Sequence, residues 1–195
     1  MTTRSLLLLS GGLDSITVGA MAHARDELSA ALIVDYGQPH ARWEIPRAVD
    51  WCAAHGVQAL HATLPLPGVE VAMAIGYGVS GPRVVHGRNL TLISVAISRA
   101  VEVGANTVLV GCNADDAADY PDCREVFIDA LDRLAFATYG VHVRAPLIGC
   151  SKAQVGSLAR LHGVRSEEAW SCYQPIGPEP CGTCNACIAR ARAGV

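Results

Sequence analysis

The residues best placed to do chemistry come first in the chain, where Ser10-Gly11-Gly12-Leu13-Asp14-Ser15 follows the apolar run Leu6–Leu9. A strand that turns through small residues into a helix gathers backbone N–H groups and the positive helix end around one point, which makes an anion site. Gly11 and Gly12 allow close approach of phosphate oxygens, and the Ser10 and Ser15 hydroxyls can donate to them. Asp14 would repel phosphate unless a cation intervened, so Mg²⁺ bridging this carboxylate and a phosphate chain is expected. Leu9 through Ser15 are therefore the candidate nucleotide-binding residues. The Gly-Lys-Ser/Thr ending of a Walker loop is absent. Taken alone, the segment also fits an ordinary tight turn.

A second constellation closes the chain. Cys172, Cys181, Cys184 and Cys187 are spaced C-x8-C-x2-C-x2-C. Paired x2 gaps let successive thiolates converge on one tetrahedral ion, so a structural Zn²⁺ is expected on all four. An iron–sulfur cluster uses the same donors. A zinc-ribbon nucleic-acid module is the other reading, although only Arg190 and Arg192 supply positive charge after the last cysteine.

Three polar segments lie between these ends. Asp35, Tyr36, Gln38 and His40 crowd the end of an apolar run, with Glu44 just beyond, and their donors and acceptors could read a purine or its ribose. A solvated loop is the alternative, and His40 by itself fits a surface histidine. Asn113, Asp115, Asp116, Asp119 and Asp122 stand beside Arg124, a self-repelling arrangement that suggests a ligand or metal unless it only caps the following helix. Asp122 could orient Arg124 for bidentate recognition of a carboxylate, and Arg88-Asn89 offers a second clamp. Asp14, Arg88, Asp122 and Arg124 are the catalytic candidates; Arg88, Asn89, Asp116, Tyr120, Asp122 and Arg124 are the candidate substrate contacts. Cys123 reads as a small buried thiol beside the site rather than a nucleophile.

Positioning these groups requires a sheet. Apolar runs at Ser5–Leu9, Ala30–Asp35, Ala59–Leu64, Thr107–Gly111 and Val141–Pro146 read as strands. Helical patterns at Ser15–Arg25, Glu44–His55, Leu90–Val103, Arg124–Tyr139 and Ser151–His162 alternate with them, the last capped by Ser151. The fold class is α/β, a doubly wound parallel sheet of about five strands, with ligands expected at the carboxyl ends of the strands. Residues 1–168 form the nucleotide-binding domain and 169–195 a zinc-binding tail packed on it. Five glycines and three prolines in Pro65–Gly87 suggest a lid-like loop.

The bulk properties agree with small-molecule chemistry. A 195-residue chain that is 51% hydrophobic and 17% charged can bury a full core, and this excludes a disordered chain. Net charge of -3 offers no field for stable nucleic-acid binding. The four-residue apolar run before Ser10 is too short for a signal core or a membrane span, so a cytoplasmic location is expected.

The Ser10–Ser15 loop resembles the SGGxDS loop of ATP-pyrophosphatases, which adenylate an oxygen and release pyrophosphate. Together with Asp35-Tyr36-Gly37-Gln38, Gly87-Arg88-Asn89, Tyr120-Pro121-Asp122-Cys123-Arg124, Ser171-Cys172-Tyr173 and the last three cysteines, it resembles the 7-cyano-7-deazaguanine synthase family over nearly the whole chain. The resemblance implies an adenine-nucleotide alpha-hydrolase-like fold and conversion of 7-carboxy-7-deazaguanine and ammonia to the nitrile, with ATP as cosubstrate. It also implies Mg²⁺, bound Zn²⁺ and a homodimer. Three departures stand out: a short 65–87 loop, His86 where proline commonly precedes Gly-Arg-Asn, and Ala169 where threonine commonly precedes Trp170. They leave open a relative that acts on another deazapurine, stops at the amide, or modifies a tRNA base.

Overall fold

Alternation within the strands divides the core into two halves. Leu6, Leu32, Val34 and Val108 face one side, while Leu7, Ile33 and Leu109 face the other. Period-two alternation with both faces apolar requires helices above and below. The computed structural model describes residues 3–69 and 85–194. The expected lid at 65–87 falls for the most part outside them.

The strands are β1 (Ser5–Leu8), β2 (Leu28–Asp35), β3 (Gln58–Thr63), β4 (Thr107–Leu109) and β5 (His142–Arg144). They pair in parallel in the order β3-β2-β1-β4-β5. Helices α1 (Leu13–His23) and α2 (Ala41–His55) pack on the face of Leu7, and α3 (Arg88–Glu102) packs on the opposite face. A one-turn helix α4 (Asp116–Asp119) precedes α5 (Glu125–Tyr139), which shares the face of α3. Helix α6 (Lys152–Leu161) joins α1 and α2, starting at Ser151 with the capping box expected of its N-cap.

The chain winds outward from β1 to β3, then returns to lay β4 on the other side of β1. Chain direction therefore diverges between β1 and β4, and the crevice at their carboxyl ends is the ligand position of such sheets. All five expected strands and five helices form. The outer strand β3 is only half-buried, as its edge position allows.

The tail contains a helix that the sequence patterns did not include. Asn185–Ala193 is a helix, α7, and it lies against α6 so closely that a Cβ on Gly156 would overlap the Ala193 carbonyl. Cysteines at x2 spacing mask a helical pattern because the first turn is recruited for ligation. No helix among the described residues is long and apolar enough to cross a membrane.

Candidate functional site

The loop after β1 is held by its own hydroxyls. Ser10 and Ser15 Oγ atoms are 3.0 Å apart, the Ser10 N–H donates to Ser15 Oγ, and the Gly12 N–H donates to Ser10 Oγ at 3.2 Å. Gly11 adopts φ +85°, and a Cβ there would overlap the Glu44 carbonyl, so glycine is needed on two counts. Its own carbonyl accepts the Trp170 N–H at 2.9 Å, which straps the tail to the loop.

Asp14, in the first turn of α1, meets a cation that sequence reading did not single out. Lys152 Nζ lies 2.6 and 2.9 Å from its two oxygens. The fully buried Asn113 donates from one amide nitrogen to Asp14 at 3.2 Å and to Asp116 at 2.7 Å. Burial pushes the Asp116 carboxyl up to about 6; Lys152 lowers it and Asp14 raises it. For Lys152, burial opposes the charge, but Asp14 and Asp116 outweigh it and hold the ammonium more firmly protonated than usual. One signal in the sequence marks Lys152: it opens a helix, where the dipole disfavours a cation unless an anion lies nearby.

A second polar group faces the same crevice. His40 is buried, not superficial, and its Nε2 lies 3.5 Å from Glu44 Oε2. Gln38 Oε1 accepts the Tyr36 N–H at 2.9 Å. Burial pushes the Glu44 carboxyl up to about 8, against the opposing pull of Arg88 and a hydrogen bond from Gln38. For Arg88, burial works against the charge, yet Tyr36, Tyr173, Asp122 and Cys123 together keep it protonated beyond the ordinary range. In the sequence Glu44 stood out only as following that polar cluster, because glutamate in a first helical turn is ordinary.

Both groups line one cavity of about 760 Å³. It brings together Leu9, Ser10, Gly12, Leu13, Asp14, Ser15, Tyr36, Gln38, Arg88, Asn89, Asp116 and Tyr120, and adds Glu44, Lys152 and Tyr173. Thr183, Cys184 and residues of α7 form a further wall, so the tail is part of the site as well as a clip.

Four expected residues stand apart from that lining. Gly11 shapes the loop from behind, and Asp35 turns the chain by accepting the Gly37 N–H at 3.0 Å. Asp122 does not orient Arg124. Its carboxylate accepts the Asn89 N–H at 3.1 Å and its carbonyl accepts the Asn89 amide at 3.2 Å, which fixes the start of α3. Arg124 is exposed and donates to the Ala117 carbonyl at 3.1 Å. Cys123 is buried and accepts a hydrogen bond from Asn89 Nδ2 at 3.3 Å.

The four tail cysteines converge as their spacing requires, with all Sγ atoms within 4.8 Å of one another. Tetrahedral Zn–S bonds of about 2.3 Å place sulfurs about 3.8 Å apart. The Cys172–Cys181 and Cys181–Cys187 separations of 3.5 and 4.0 Å bracket that value. Backbone N–H groups of Gln174, Cys181 and Cys184 point at the sulfurs at 3.2–3.3 Å, the partners a thiolate needs. The residues fit a tetrahedral metal ion.

A family profile described as queuosine biosynthesis protein QueC matches residues 4–75 and 78–194. The chain belongs to the QueC family. Among QueC relatives, 7-cyano-7-deazaguanine synthase of Anaeromyxobacter dehalogenans (strain 2CP-C) is 38% identical, over 98% of this chain and 93% of that protein. The protein of the same name from Synechococcus sp. (strain CC9902) is 36% identical, over 95% and 90% respectively. The QueC fold extends to more distant proteins. NMN synthetase from Francisella tularensis superposes with a TM-score of 0.58 at 16% identity, over 94% of this chain and 71% of that one. A 4-thiouridine synthetase in complex with RNA and ATP gives 0.56 at 17%, over 98% and 50%.

Proposed function

We infer that this chain is an ATP-dependent carbon–nitrogen ligase that converts 7-carboxy-7-deazaguanine and ammonia to 7-cyano-7-deazaguanine. The observation that carries the reading is the single cavity that joins the Ser10–Ser15 loop to Arg88 and the Tyr36 end. Full-length relatives named 7-cyano-7-deazaguanine synthase support the substrate.

The chemistry follows from the carboxylate. Conjugated with its ring, it resists ammonia until one oxygen becomes a good leaving group. Attack of that oxygen on the α-phosphorus of ATP releases pyrophosphate, and ammonia then displaces AMP to give the amide. A second activation, at the amide oxygen, permits loss of AMP and two protons to give the nitrile.

The chain's own residues supply binding and charge control. Backbone N–H groups of Leu9–Ser15, with the Ser10 and Ser15 hydroxyls, hold the phosphates, and Lys152 offsets their charge. Asp14, beside Asp116, would hold Mg²⁺, which when bound neutralises phosphate oxygens. Arg88 clamps the substrate carboxylate, Asn89 and Tyr120 line its seat, and Asp122 positions Asn89. Arg124 would reach the substrate only by leaving Ala117. Tyr36 and Gln38, on the turn set by Asp35, serve the adenosine side. Cys172, Cys181, Cys184 and Cys187 would bind a structural Zn²⁺, consistent with their closed donor set.

In this reading residues 1–168 hold the nucleotide and 169–195 buttress it, the enzyme acts on small molecules in the cytoplasm without stable nucleic-acid binding, and it is a homodimer. Analytical ultracentrifugation checks the last point. The activity is tested by mass spectrometry of wild-type protein supplied with Mg²⁺, ATP, ammonium and 7-carboxy-7-deazaguanine. The nitrile is expected, with none from Asp14→Asn. Absence of turnover in folded, zinc-loaded protein would end the proposal, and accumulation of amide alone would restrict it to the first half.

A further inference from the structure

We propose that Glu44 is the site that receives ammonium ion and takes its proton, releasing ammonia beside a substrate carboxyl held by Arg88. The inference deepens the ligase reading and rests on it.

The placement is the first support. The backbone of Glu44 underlies Gly11, so this side chain starts directly behind the phosphate loop, and it lines the same cavity as Ser10, Asp14 and Arg88. The carboxyl at that point is buried, with its residue only 8% exposed. Its Nε2 contact from His40, at 3.5 Å, is too long for a good hydrogen bond. Gln38 donates to it, and Arg88 acts on it through charge. Burial makes this carboxyl costly to ionise even with His40 and Arg88 near it, a cost that a cationic ligand can offset.

The kind of ligand follows from its partners. An ionised carboxylate only accepts hydrogen bonds, so its complement is a small donor or cation. The two reactants other than ATP are a carboxylate anion and, near neutral pH, an ammonium cation. Arg88 and Glu44 carry the complementary charges.

The step balances simply. Ammonium gives one proton to the Glu44 carboxylate. The lone pair so released forms the C–N bond to the acyl carbon while the C–O bond breaks, its electrons leaving with the AMP oxygen. The remaining excess proton on nitrogen goes to water, and Glu44 later returns its own to solvent. With the carboxyl raised to about 8, about a tenth of Glu44 is ionised near pH 7, and that fraction has a proton affinity suited to accepting from a weak acid such as ammonium.

Glu44→Gln keeps the size and removes the base, and three rates distinguish its effects. Near pH 7, pyrophosphate release reports any loss in adenylation; relative to it, amide formation from ammonium falls about 100-fold, while hydroxamate formation from hydroxylamine, already uncharged, stays within about threefold. Raising the pH toward 9 narrows the ammonium deficit, because free ammonia then replaces the missing base. Equal losses with both nucleophiles, or no loss with ammonium, would overturn the proposal. Glu44→Asp keeps a carboxylate and must recover most of the ammonium-dependent rate; if it matches Glu44→Gln, the proposal also falls. Failure of wild-type protein to release pyrophosphate with the deazapurine sinks this proposal and the ligase reading together. Normal wild-type turnover with an unaffected Glu44→Gln sinks this one alone.

Discussion

Lys152 Nζ sits 2.6 Å from an Asp14 carboxylate oxygen across 138 residues of chain. Helices α1 and α6 thus present opposite charges to one corner of the crevice. In that corner lie Asn113, Asp115 and Asp116, and the Asp115 carboxylate accepts the Lys152 N–H at 3.0 Å.

Lys152→Met should therefore slow adenylation strongly, by about 100-fold, the usual effect of removing one preorganised charge at a reacting centre. Pyrophosphate exchange measures it. Lys152→Arg should restore part of the rate, since it returns the charge with a different shape. A Lys152→Met enzyme with unchanged exchange would remove Lys152 from the site.

Gly11→Ala combines a positive φ with overlap on the Glu44 carbonyl. The strain alone costs roughly 1–3 kcal/mol. Thermal unfolding should show the loss, and calorimetry should show ATP binding weakened in the protein that remains folded. Gly37 has φ +89° with open space around its missing Cβ, so Gly37→Ala should suffer only the backbone cost.

Metal removal should disable the cavity from a distance. Zinc analysis is expected to find one ion per chain, lost on Cys181→Ser. Because Cys184 and α7 form a cavity wall and Trp170 is bonded to Gly11, ATP affinity should fall along with the melting temperature. Retention of full ATP affinity after complete zinc loss would show the tail to be a remote clip.

Stability should fall as pH rises from about 5 to about 8. The folded Glu44 carboxyl is raised to about 8, above its unfolded value, so the native state binds this proton more tightly and loses stability as pH climbs through that window. His40 on its own helix, Arg88 from α3, Tyr36 from the β2–α2 connection and Tyr173 from the tail face the same carboxyl. Melting curves of wild type should drop more steeply than those of Glu44→Gln between about pH 5 and about 8, and run parallel above that. Parallel curves below about pH 8 as well would show that another group titrates.

Local motifs were legible because their function needs contiguous chain. Ser10–Ser15 joins a strand, a turn and a helix end and so carries its own geometry, and the x2 cysteines converge within single turns. Strand alternation likewise revealed the layers, since Leu6 and Leu7 must point opposite ways whatever surrounds them. Arg124 shows the limit: beside Asp122 in sequence, it lies away from it in space, because a short helical turn sends the two side chains to different partners.

The amino-acid sequence by itself determined the parallel α/β class, the strand–turn–helix loop at Ser10–Ser15 and the four-cysteine tail suited to a metal, each set by backbone rules acting over a few residues. Only the tertiary structure decided that Lys152 meets Asp14, that Glu44 is buried behind Gly11, and that α7 walls the cavity. Those pairings depend on strand order, which brings β1 beside β4, and on the packing of the tail against α6 and Gly11, and no local spacing encodes the distance between residues so far apart in the chain.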